Sequence, residues 1–173
     1  MKNGPLPTDL DMRGLAARGI SIEGTVSPES LPRLAQADCK LVGEVSAKFV
    51  FERDEESRYT VCSQVQAKVL VTCQRCLGPV EIALSCGSTM ACVWDDGEAE
   101  ALPAMYEPLV IGQTANLNDI AEEEILLAMP VSAVHEEDCR SAEQKAALGG
   151  DLDIPDPKRA RENPFAVLEK LKT

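Results

Sequence analysis

A chain of 173 residues with 45% hydrophobic residues is long enough to bury a core and too apolar to be disordered throughout. Only 3% is aromatic, so its packing must rest on Val, Leu, Ile and Ala. The net charge of -12 argues against a nucleic-acid binder of the usual basic kind.

Residues 1–20 lack the unbroken apolar core of a secretory signal, and no apolar run approaches the ~20 residues of a membrane span. Seven cysteines, an odd number scattered over the chain, suit a reducing compartment better than a disulfide framework. The expectation is therefore a cytoplasmic protein. Its acidity is concentrated: residues 95–157 carry 16 acids against 2 bases, whereas residues 158–173 carry 5 bases against 2 acids. Such a block repels phosphate and attracts basic proteins. It serves equally as a solvated face.

In chain order, residues 1–24 mix Gly, Pro and polar residues and read as an irregular arm. Ser27-Pro28-Glu29 starts a short helix, with Ser as N-cap and Pro at the first helical position. From Leu41 to Glu52 the pattern turns to period 2, with Val45, Ala47, Phe49 and Phe51 on one face. Tyr59 to Thr72 repeats it, with Val61, Val65, Ala67, Val69 and Val71. The two odd-numbered faces coincide if residue 51 lies opposite 59. A third run extends from Val80 to Trp94, with a bulge or break expected near Gly87.

Residues 95–107 read as an acidic loop, and Leu109-Val110-Ile111 as a short strand. Asn116 with Asp119 then caps a helix that reaches Met129, with its acids Glu122, Glu123 and Glu124 in the N-terminal half and Pro130 as its stop. The class predicted is α+β: an antiparallel β-meander covered by one main α-helix, with short N- and C-terminal helices. The domain expected is 1–134. It is followed by a polar linker over 135–162 and a short helical motif over 163–173, where Phe165, Leu168 and Leu171 share one side. That motif reads as a docking element, with Phe165 as anchor.

Chemistry centres on Cys73-Gln74-Arg75-Cys76, a turn between two strands. With His135 and Cys139 it supplies three thiolates and one imidazole, the donor set of a structural zinc site. The alternative is that the two turn cysteines only pack. A thioredoxin-like redox pair belongs at a helix N-terminus, which this turn is not. With one histidine and no Gly-rich phosphate loop, the chain offers little to catalysis.

Several stretches together closely resemble the YceD family, named for large ribosomal RNA subunit accumulation. They are CQRCLGPV at 73–80, ALPAMYEPLVI at 101–111, DIAEEEILLAMPV at 119–131 with HEEDC at 135–139, and NPFAVLEKLK at 163–172. The resemblance spans nearly the whole chain. It implies a non-enzymatic factor in the synthesis, processing or accumulation of large-subunit (23S) ribosomal RNA. Its partner would be a basic ribosomal protein or the pre-ribosomal large subunit, with no membrane and no small-molecule substrate. Direct weak RNA binding and a small zinc-binding structural role stand as the alternatives. Some relatives carry additional cysteines after the acidic helix, where this chain has only His135 and Cys139.

Overall fold

The computed structural model describes residues 4–37, 39–112 and 114–148, in two compact units, Met1–Glu137 and Asp138–Thr173. The first unit is α+β. Its elements are α1 (Met12–Arg18), β1 (Ser21–Val26), a 3-10 turn (Pro28–Ser30), α2 (Pro32–Gln36), β2 (Lys40–Leu41), β3 (Val45–Arg53), β4 (Tyr59–Thr72), β5 (Pro79–Cys86), β6 (Thr89–Val93), α3 (Asp96–Glu100), β7 (Glu107–Val110) and α4 (Leu117–Ala128).

The 14-residue β4 is the spine of the sheet. On one side it pairs antiparallel with β3 and then β2; on the other with β6 and then β5. β5 and β6 are one line of chain: Cys86 lies opposite Val65 and Thr89 opposite Cys62, so the register runs unbroken past Gly87 and Ser88. The break expected near Gly87 is therefore a local kink. Its cause is a close approach, since a β-carbon on Gly87 would lie 2.2 Å from the Ser63 carbonyl oxygen. A long hairpin results, and residues 73–78 are its tip. β7 joins β6 in parallel, a departure from an antiparallel meander.

Alternation places Phe49, Phe51, Val61, Val65 and Val69 on one buried face. Met12 and Leu15 of α1 and Leu117 and Ile125 of α4 complete the same core. The expected pairing of residue 51 with 59 is corrected by two residues: Phe51 pairs with Val61 and Arg53 with Tyr59. Asp54 shortens the turn by accepting from the backbone N–H groups of Glu56 (3.0 Å) and Arg58 (2.8 Å). A two-residue slip keeps every side chain on its face, so the buried set is unchanged.

The N-terminal arm is not irregular. Asp11 caps α1 by accepting from Gly14 N–H at 2.9 Å, and Met12, Leu15 and Ala16 bury the i, i+3, i+4 face. β1 then pairs with β3, and residues 4–6 bond to its outer edge through Leu6 N–H to the Thr25 carbonyl. Within the acidic stretch 95–107, expected as loop, Asp95 caps the short α3 by accepting from Glu98 N–H at 2.9 Å.

Glu122, Glu123 and Glu124 of α4 each have a partner within the chain. Glu122 is buried and accepts from the backbone N–H of Arg33 at 2.6 Å and of Leu34 at 3.0 Å. It thereby caps α2, which has no cap from its own sequence. Glu123 pairs with Arg33. Glu124 accepts from Ser63 Oγ at 2.6 Å and from Ser88 Oγ, pinning α4 across the kink. Glu124→Ala should cost about 1–3 kcal/mol by taking the carboxylate acceptor from the buried Ser63 and half-buried Ser88 hydroxyls. Urea unfolding would show this as a lower midpoint at unchanged slope, and an unaltered midpoint would refute the pin.

In the second unit, α5 (Ala142–Leu148) occupies part of the stretch expected as a polar linker. Ser141 and Gln144 cap it reciprocally, Gln144 N–H to Ser141 Oγ at 3.1 Å and Ser141 N–H to Gln144 Oε1 at 2.8 Å. The helical motif expected over 163–173, with Phe165, Leu168 and Leu171, lies outside the described residues.

Candidate metal centre

The hairpin tip is built to expose sulfur acceptors to backbone donors. Cys73 N–H donates to the Gly78 carbonyl at 2.8 Å and Leu77 N–H to the Cys73 carbonyl at 2.9 Å, closing the turn. Leu77 takes a left-handed conformation, with φ 60°. Arg75 N–H points at Cys73 Sγ, 3.4 Å away. Burial works hardest against ionising Cys73. Donation from the backbone N–H groups of Cys76, Arg75 and His135, with the His135 side chain beside them, outweighs it and lowers the thiol to about 5. Cys73 is therefore a thiolate at neutral pH, the form that ligates a metal.

The segment after α4 returns to this tip. Gln74 N–H donates to the Ala133 carbonyl at 2.7 Å, and Arg75 Nη2 to the His135 carbonyl at 2.6 Å. Two direct hydrogen bonds thus hold the segment after Pro130 against the turn. Its imidazole is oriented as well. His135 Nε2 lies 3.0 Å from the Pro79 carbonyl, which can only accept, so Nε2 carries the proton and Nδ1 the lone pair. Nδ1 faces Cys76 Sγ at 3.6 Å. Two ligands at zinc bond lengths of ~2.3 Å to sulfur and ~2.05 Å to nitrogen, separated by a tetrahedral angle, stand about 3.6 Å apart. The donor atoms of Cys73, Cys76 and His135 all lie within 4.8 Å of one another. The carbonyl that fixes the imidazole is the usual second partner of a metal-binding histidine.

Of the four predicted ligands, Cys73, Cys76 and His135 stand together in the first unit, and the half-buried Cys139 belongs to the second. Sequence reasoning did not find Gln74, Arg75 and the Pro79 carbonyl as the groups that position His135. Their only sequence signal is adjacency to the cysteines.

This hairpin also lies inside a stretch shared with other proteins. Residues 61–172 match the model of the family described as "Large ribosomal RNA subunit accumulation protein YceD". The chain belongs to the YceD family. The matched stretch begins in β4 and takes in the Cys turn, α4, His135 and Cys139. A YceD protein of Haemophilus influenzae, the large ribosomal RNA subunit accumulation protein YceD, is 29% identical over 175 residues, covering 99% of each chain. No solved structure matches the chain. Among the described residues no helix is long and apolar enough to cross a membrane.

Proposed function

We propose that this protein is a non-enzymatic, cytoplasmic factor supporting the accumulation of large-subunit (23S) ribosomal RNA, acting through a basic ribosomal protein or the pre-ribosomal large subunit. The observation that carries it is the end-to-end match to a relative named for that role. The excess of acid over residues 95–157 favours a basic protein over naked RNA as the direct contact. Affinity purification with and without nuclease tests this. Ribosomal proteins should remain bound after nuclease treatment; their complete loss would favour direct RNA binding instead.

Cys73, Cys76, His135 and Cys139 are proposed to hold one structural zinc ion. Three donors support this by geometry. The fourth is four residues beyond His135, within the ~13 Å that such a length of chain can span. Bound there, zinc supplies a cross-link and no reaction, because four protein ligands leave no open position. Elemental analysis should give about one zinc per chain. Cys73→Ser should abolish it, with chelator lowering the melting temperature of the wild type. Metal-free protein that is indifferent to chelator would leave the cysteines as packing residues.

A further inference from the structure

The chain has two tyrosines and one tryptophan, at 59, 94 and 106, and all three lie against arginines. The Arg13 guanidinium carbon of α1 lies 3.3 Å from the centre of the Trp94 ring and 5.8 Å from that of Tyr59. Arg53 covers Tyr59 at 4.6 Å and donates to its hydroxyl at 2.6 Å. Arg13 is committed to this stack: its Nε is buried with no hydrogen-bond partner, so the ring face is what meets its charge. Trp94 nevertheless remains 53% exposed. One face holds a guanidinium, and much of the rest of the ring is open.

Exposed acids follow Trp94 directly in the chain. Glu98 accepts the Trp94 backbone N–H at 2.8 Å, and Asp95, Asp96 and Glu100, within six residues of it in sequence, are exposed. Residues 95–107 hold no Lys or Arg. Strand addition at the neighbouring β7 edge is disfavoured. Ile111 N–H bonds inward to the Val93 carbonyl, so alternation turns Pro108 outward, where it offers no N–H. Recognition here must come from side chains.

We propose that Trp94, with Asp95, Asp96 and Glu100, is the docking point for an arginine-rich extended segment of a partner protein, whose guanidinium stacks on the open part of the ring. This rests on the basic-partner reading above. A nucleic-acid base would also stack, but its phosphates would meet carboxylates.

Trp94 is the only tryptophan, so its fluorescence in the full chain reports the site directly. Titration with an oligo-arginine peptide should change its emission, and the affinity should weaken as salt rises. Oligouridylate should leave the emission unchanged. By anisotropy of a labelled peptide, Trp94→Leu should weaken binding about tenfold while Trp94→Phe, which keeps a ring, stays near wild type. Asp96→Asn with Glu100→Gln should weaken it severalfold, and Glu136→Gln with Glu137→Gln should not. Peptide binding of equal strength in wild type and Trp94→Leu would overturn the site but leave the basic-partner reading standing. Absence of peptide binding would overturn the site, and the nuclease-treated purification would still decide the basic-partner reading. An emission change with oligouridylate and none with peptide would make this an RNA contact and overturn the proposal.

Discussion

Glu122→Ala should destabilise the first unit by about 3–5 kcal/mol, because two buried N–H groups at the start of α2 lose a charged acceptor and a cavity opens beside Leu34. The melting temperature should fall roughly 10 °C for a unit of this size. Glu122→Gln keeps an oxygen acceptor and should cost only about 1 kcal/mol, the difference between a charged and a neutral acceptor. The pair of variants separates the charge from the hydrogen bonds and packing. If Gln were as damaging as Ala, the carboxylate's value would lie in its charge and not in the two hydrogen bonds. If both were silent, α2 would not depend on α4.

Gly87→Ala is the second large effect. The added β-carbon would meet backbone atoms on β4, with the Ser63 carbonyl oxygen at 2.2 Å, its carbon at 3.0 Å and Gln64 Cα at 3.2 Å. Backbone cannot rotate aside as a flexible side chain can. The hairpin must open at the kink, disturbing the Ser63–Ser88–Glu124 contacts, and about 2–4 kcal/mol should be lost. Hydrogen exchange should show faster opening of β4 and β5/β6 around Ser63 and Ser88 than elsewhere in the sheet. Uniform protection in the variant would mean that the strands adjust without cost.

The sheet was legible because its signal is local and periodic. Alternation in 45–51 and 59–71 named the buried face correctly even where the pairing was off by two residues, since faces depend only on parity. Ser63, the one polar residue interrupting that face, has a partner 61 residues away, and nothing near it in sequence announces Glu124. Glu122 capping α2 across 88 or 89 residues is illegible for the same reason. Read locally, the acids of α4 suit a helix dipole. Read in three dimensions, two of them are buried acceptors, so they contribute less to an outward acidic face than their number suggests. The first helix was missed for a different reason. Met12, Leu15 and Ala16 had the spacing, but α1 is only seven residues long and holds Arg13 and Gly14, so its pattern was too brief to stand out.

At the candidate metal centre, sequence spacing singled out the cysteines and the histidine, and the fold supplied what spacing could not: a hydrogen-bonded imidazole and a Cys73 thiol lowered to about 5. The stacking of Arg13 on Trp94 joins residues 81 positions apart and was equally beyond reach of a linear reading.

The most direct test of the account is the ratio of large- to small-subunit ribosomal RNA in cells depleted of this protein and complemented with variants. Depletion should lower the large-subunit RNA selectively. Wild type should restore it, while Cys73→Ser with Cys76→Ser should not, at matched protein levels. An unchanged ratio on depletion would contradict the proposed function, and full rescue by the double cysteine variant would contradict the role given to the metal centre.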